Sequence, residues 1–516
     1  MRKTFWLRGV AAVVLCGLVG TAEAAETLKV GVREFPPGRG SPFVDPGVPH
    51  VFVLSAVYNQ LTKIRDDFSS GPDLATEWKV VDPTTWELKV RPGVKFSNGE
   101  AFDAASVEAA YKFLLTDEGR QLVAGRDLTP FIESMTARDA STIILKTKNP
   151  VPIVPRMIGG FRIPAPKAFA DGGLKGISDM PVGTAAYKVQ SWVPGKIVVV
   201  ANETSFQSRA DIGQIEFYEL GEGAARAQAL LSGQIDVDTA LSIDAADQLK
   251  RAGFKVFQVP STRTLGISLV SWRKPCADGK CESVPATGPV KDLRVRQALN
   301  LAVNKQSIVD NIYKGAASVA SQSAVPQAFG FNRDIKPYDY NPVRAKQLLA
   351  EAGFPNGFDM EIRAITTDAT FALVYQSAVQ DLNAIGVRAK LISQPFPDWL
   401  NAYLNGTWAW DAFAFGHDLT GQLDAGRSFN SFTSCIKPGG PYYCSQDEMP
   451  LVTAQGQEMD AVKREAILKE LLAKNAANAP IIYLVAGTEN MGHHAKLANF
   501  KQVNLHLNYA EMRVQK

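Results

Sequence analysis

Cysteine and histidine are scarce in this chain, with five of each among 516 residues. No CxxC pair occurs and the histidines are scattered, His493 and His494 being the only neighbours, so the ligand clustering of a structural zinc site is missing. Long apolar runs are absent too. Beyond the first twenty residues nothing reaches the roughly 18 apolar residues needed to span a bilayer as a helix. Nor is there an excess of charge. Residues 25–516 carry 52 Lys and Arg against 51 Asp and Glu, a balance that argues against nucleic acid or an anionic membrane as the main partner. GxSxG, HExxH and Walker loops are lacking. Gly221–Arg226 almost makes a dinucleotide loop, but Arg226 stands where the third glycine belongs, and the stretch reads as a helix start. Ser271–Lys274 matches SxxK by letter, yet Pro275 follows at once and works against the helix that would bring Ser and Lys together.

What is present begins with MRKTFWLRGVAAVVLCGLVGTAEAAE: three basic residues, an apolar run from Val10 to Val19, and small residues around Ala22 and Ala24. This is the layout of a secretory signal peptide, residues 1–24, with cleavage expected after Ala24. Leu15 before Cys16 disfavours a lipid anchor. Four cysteines remain in an exported chain. Their close spacing favours Cys276–Cys281 and Cys435–Cys444 as local staples, among the three pairings that four cysteines allow. The length, far beyond one core, suggests roughly three domains.

Along the chain, helix-then-strand units recur, the mark of mixed α/β domains with partly parallel sheets. Asp103 caps a helix after the Ser97-Asn98-Gly99 turn. Gly233 stops a helix before a strand near Ile235. Asp292 caps a helix whose Val295, Leu299, Ala302 and Val303 share one stripe. Asn341, Pro342 and Gly353 punctuate another as cap, first residue and stop.

The densest aromatic stretch is WAWDAFAFGHDL, residues 408–419. A strand sends alternate side chains to opposite faces, so Phe413, Phe415 and His417 share one face and Ala412, Ala414 and Gly416 the other. The bare face implies a large neighbour at close range, either a helix or a ligand. The expectation carried forward is that a ligand lies against Ala414 and Gly416 while Phe413 and Phe415 anchor the strand in the core. Trp399, Trp408 and Trp410 are candidate pocket walls, and His417 and Asp418 candidate polar contacts. Arg33 and Arg39, in a proline-rich N-terminal loop, suit a carboxylate or phosphate.

WELKVRPGVKFSNGEAFDAASV, PVGTAAYKVQSW, LLSGQIDV, DLRVRQALNLAVNKQSIV and YNPVRAKQLLAEAGFPNGF resemble, in this order, signature stretches of the family 5 extracellular solute-binding proteins. The resemblance runs from about Leu28 to the C-terminus. It implies a two-lobed, periplasmic binding protein-like α/β fold with hinge crossings near VPSTRTLGISLV and PIIYLVAGTENMG. Lobe I would comprise residues 25–58, 178–265 and 486–516, with residues 59–177 as an appended subdomain, and lobe II residues 266–485. It also implies a monomeric periplasmic receptor that needs no cofactor and passes a peptide or similar small polar solute to an ABC permease. Metal-chelate and opine receptors are alternatives on the same fold, and a secreted hydrolase is the rival from another class. In peptide-binding members an acidic residue holds the ligand's amino group, which makes Asp418 and Asp424 candidates, although the local spacing departs from the dipeptide pattern.

Overall fold

Two strands of unusual length, Lys255–Leu269 and Ile481–His493, run antiparallel through the middle of an eleven-stranded sheet. The computed structural model describes residues 26–515 except 46, 180, 208–210, 274–275, 278–279, 282–283, 286–287, 366–368, 396–397, 400, 403–409, 419–421, 432–442 and 504–505. The segment expected to be a signal peptide, Trp408 and Cys435 therefore lie outside the described residues, as does the side chain of Asp418.

On one side of the two long strands the sheet continues through Val237–Leu241, Glu26–Val32, Ile212–Glu219, Lys196–Ala201 and Tyr187–Val193. On the other side it continues through Ala412–Asp418, Asp359–Ala364 and Arg388–Ser393, while Ala317–Val319 pairs with Ile481–His493. The ladder between the long strands is regular from Lys255 to Pro260, irregular up to Thr264, and shifts once more between Leu265 and Gly266. Proline has no N–H to give to a ladder, and Pro260 ends the first regular stretch. Ser261–Arg263 thus form a bulge, the device by which a strand bends.

Of three large apolar cores, two flank this spine. One joins Leu265, Ile267 and Leu269 to Val295, Leu299, Leu349, Ile362 and Ala414. A second lies under the strands Glu26–Val32 and Ile212–Glu219. The third belongs to a separate four-stranded antiparallel sheet, Ala75–Asp82, Thr85–Val90, Thr142–Thr147 and Ile132–Asp139, covered by the helix Ala104–Leu114.

The local punctuation is realised in detail. Asp103 accepts from Ser106 N at 3.0 Å, Asp292 from Arg294 N at 2.8 Å and Asn341 from Arg344 N at 2.9 Å, each satisfying an orphan N–H of a helix first turn. Gly353 follows its helix at φ +92°, where a side chain would be strained. Val295, Leu299, Ala302 and Val303 are all buried. Arg226 is buried and spends its guanidinium on Asp238 and on the carbonyls of Leu220, Gly221 and Ala240. It locks its own helix to the neighbouring strand, so the helix-start reading of that motif holds.

Candidate functional site

The strand Ala412–Asp418 pairs parallel with Asp359–Ala364 through Ala412–Ala414 and antiparallel with the first long strand along its whole length, Arg263 lying opposite Asp418 and Leu269 opposite Ala412. This register places it directly beside the bulge. Its two faces are unlike, as the alternation requires; Phe413 is buried as expected, but the bare face is packed rather than open.

Ala412 and Ala414 are fully buried in the core that holds Ile267 and Leu269. No space for a ligand remains on that side, so Ala414 is a packing residue. The bare face at Gly416 serves Arg263. A Cβ built on Gly416 would sit 2.9 Å from Arg263 Cδ, closer than carbon atoms approach without repulsion. The large neighbour implied by Gly416 is thus the aliphatic stem of an arginine from the long strand.

The aromatic face lies outside the three cores. Trp399 stacks on Phe413 with ring centroids 5.2 Å apart and planes 15° from parallel, and also meets Phe415 at 6.1 Å. Trp410 reaches Phe413 at 6.2 Å; Phe415 touches Phe413 at 5.2 Å and His417 at 4.7 Å. With Val270 these rings make a small cluster of their own. Phe413 is fully buried, whereas Phe415 is half-buried. His417 Nε2 lies 3.3 Å from Ser268 Oγ, on the paired long strand. Burial pushes the His417 pKa down to about 4, so the imidazole is neutral at neutral pH, because desolvation penalises the charged ring.

The remaining candidates separate. Asp424 is fully buried and its carboxylate is engaged: Arg464 donates to it twice, at 2.6 and 2.7 Å, and Gly426 N donates at 2.9 Å. Held by Arg464, it is not a spare anchor for a solute amine. Arg33 stands at the end of the first strand, half-buried, 3.5 Å from Glu34. Arg39 is exposed, has φ +48°, and reaches the Trp192 carbonyl at 3.5 Å. That carbonyl belongs to the last strand at the far end of the sheet, so Arg39 is not brought to the aromatic cluster by this contact.

Two cavities complete the picture, and neither is lined by residues picked from the sequence. One of about 690 Å³ lies between Ser55–Gln60, the hairpin Thr62–Pro72 and the C-terminal Lys501, Val503 and His506–Glu511. One of about 300 Å³ is walled by Phe257, Val259, Pro260 and Thr262 of the long strand together with Phe68, Gln327 and Leu423. Among the described residues no three His, Cys, Asp or Glu side chains gather as a metal site, and no helix is long and apolar enough to cross a membrane. Sequence reading missed Arg263, Ser268, Arg156 and Arg464, whose positions follow from strand register and long-range packing.

The family profile described as "Bacterial extracellular solute-binding proteins, family 5 Middle" matches residues 70–436. The nickel-binding periplasmic protein of Escherichia coli (strain K12) is 30% identical over 365 residues, which is 67% of each chain. The glutathione-binding protein GsiB of the same strain is 27% identical over 345 residues, 66% of this chain and 64% of the relative. The matched stretch thus spans about two thirds of these relatives' lengths. Among solved structures, the ABC transporter substrate-binding protein CtaP from Listeria monocytogenes superposes with a TM-score of 0.81 at 18% identity, covering 95% of this chain and all of that one.

Proposed function

The chain belongs to family 5 of the bacterial extracellular solute-binding proteins, and from that premise we propose that it is a periplasmic receptor which closes two lobes on a small peptide-like solute and presents it to an ABC permease. The observation that carries this reading is the aromatic cluster set apart from the cores, on the strand paired with the bulged crossing strand. A half-buried Phe415 beside a neutral His417 and a stacked Trp399 is the wall-plus-polar-anchor composition of solute pockets. Because the two long strands link the sheet's halves, their bulge is the proposed hinge, and the proposed lobes are residues 25–58, 178–265 and 486–516 against 266–485, with 59–177 appended. Solute touching both lobes would bind the closed form best and draw the population toward it.

A second reading, a metal-chelate receptor, is favoured by the neutral imidazole of His417, the form that ligates metals, together with the nickel-binding relative. Export with cleavage after Ala24 and a monomeric state belong to the same proposal. So do two local disulfides: Cys276 and Cys281 are partners across a strand pair, and Cys435 is the proposed mate of Cys444.

Native mass spectrometry of freshly purified protein, with metal analysis of the same sample, tests both readings. A retained peptide-like mass supports the first and a metal with an organic chelator the second. Turnover of peptides or glycosides would defeat both in favour of a hydrolase.

A further inference from the structure

Beside the apolar contacts of Ile64 and Phe68, Arg156 ties the appended subdomain to the opposite lobe by hydrogen bonds. It sits on the short helix Val154–Met157, and its Nη1 donates to the carbonyls of Gln422 at 2.9 Å and Leu423 at 3.3 Å, some 266 residues further along the chain. Its guanidinium also lies 6.0 Å from the centre of the Phe329 ring. The receiving surface is built in advance. Leu423 is buried at φ +46°, a left-handed conformation that a leucine adopts only under constraint, and its carbonyl also accepts from Phe329 N at 2.9 Å. Asp424, the next residue, is fixed by Arg464, whose guanidinium lies 5.4 Å from the Phe329 ring. Phe329 therefore carries two arginines, one from its own lobe and one from the subdomain. A further pair of opposite charges, Asp127 of the subdomain and Arg427, act on each other across the same boundary.

We infer that Arg156 is a positioning residue for solute capture: it latches the subdomain onto residues 422–423 and Phe329 of the second lobe when the receptor closes. This rests on the lobe-closure reading and adds to it a contact that need not touch solute. A guanidinium suits the task because its planar fork can serve two carbonyls while its face lies along an aromatic ring. The strained turn at Leu423 is what makes the two carbonyls converge on one nitrogen. Opening the lobes would separate all these groups at once, and water would replace them.

Spin labels on exposed Val80→Cys of the subdomain and Val462→Cys of the second lobe report the separation directly. Distance distributions are measured on the full chain without added solute, for the parent, Arg156→Ala and Arg156→Lys, and retained solute is read by native mass spectrometry on the same samples. The expected result is that Arg156→Ala lowers the closed-to-open ratio about tenfold or more, the scale for hydrogen bonds from a charged donor. The melting temperature should stay near that of the parent, and Arg156→Lys should fall between. An unchanged distance distribution overturns the latch, and so does a fall in melting temperature as large as that of Arg464→Ala, which would make Arg156 an ordinary fold contact. If the receptor reading itself is wrong, the parent shows no retained solute and a single separation, an outcome distinct from a failed latch in a protein that opens and closes.

Discussion

Trp399 lies flat on Phe413, the two ring centres 5.2 Å apart, and through that stack the aromatic side of the strand Ala412–Asp418 is assigned to a cluster separate from the cores. Phe413 is the inner member and Phe415 the half-buried one. Phe413→Ala should cost about 3 to 5 kcal/mol of stability, as a large deletion at a buried site. Phe415→Ala should cost less stability and lower solute affinity. Chemical denaturation beside titration calorimetry separates the two effects, and equal affinity in Phe415→Ala and the parent would remove the aromatic wall from the pocket.

Ala414 is closed in by the core, so Ala414→Leu should cost about 1 to 3 kcal/mol by overpacking and leave the affinity of the folded protein unchanged. Gly416→Val should displace the Arg263 stem and lower the melting temperature of the empty protein. Thermal unfolding decides the matter. If Ala414→Leu melts like the parent but no longer binds, the solute lies on the bare face after all.

The buried pair of Asp424 and Arg464 predicts a stability phenotype. Asp424→Ala strands a buried guanidinium, and removing one partner of such a pair typically costs about 3 to 5 kcal/mol. Asp424→Asn should cost less, since the amide still accepts through its oxygen. A loss of solute affinity in Asp424→Asn with unchanged stability would restore the amine-anchor role.

His417 makes stability depend on pH with a definite sign. Its folded pKa, about 4, lies below the ordinary value of 6.5, so the unfolded chain binds the proton first. The contribution from burying the neutral ring is complete above pH 6.5 and is lost as pH falls toward 4. Asp73 works the other way. Burial raises its pKa from 3.8 to about 6, so its contribution is present below pH 3.8 and lost as pH rises through 6. Comparing the parent with His417→Phe isolates the histidine: the parent should lose about 3 kcal/mol more than the variant between pH 6.5 and 4. Urea titrations at stepped pH measure this, and parallel curves would mean that His417 is hydrated.

Non-reducing peptide mapping should find Cys276 joined to Cys281 and Cys435 to Cys444. Opening either loop should cost about 2 to 3 kcal/mol by the chain-entropy account, with little effect on affinity. Pairing between the two groups would refute the local-staple reading.

The features legible in the sequence are those set by neighbouring residues. Asp103, Asp292 and Asn341 cap their helices because a side-chain oxygen and the N–H it serves are two or three residues apart. The buried stripe of Val295, Leu299 and Ala302 follows from the helical period, while Val303 is the extended residue just past the helix end. The alternation in Ala412–His417 likewise divided the strand into an aromatic face and a bare face. Which face met the core was not written there, since a period of two defines two sides and is silent about what packs on each. That was decided by the register of Arg263–Leu269 against Ala412–Asp418, which sets Ile267 and Leu269 beside the alanines and lays Arg263 over Gly416. Asp424 was legible as an acid and became an ion-pair partner only when Arg464, forty residues away, was folded against it. The chain's local chemistry determined its elements and, through ordered motifs, its family. The identity of the pocket's walls depended on contacts between residues far apart in sequence, because burial and charge pairing belong to positions in space.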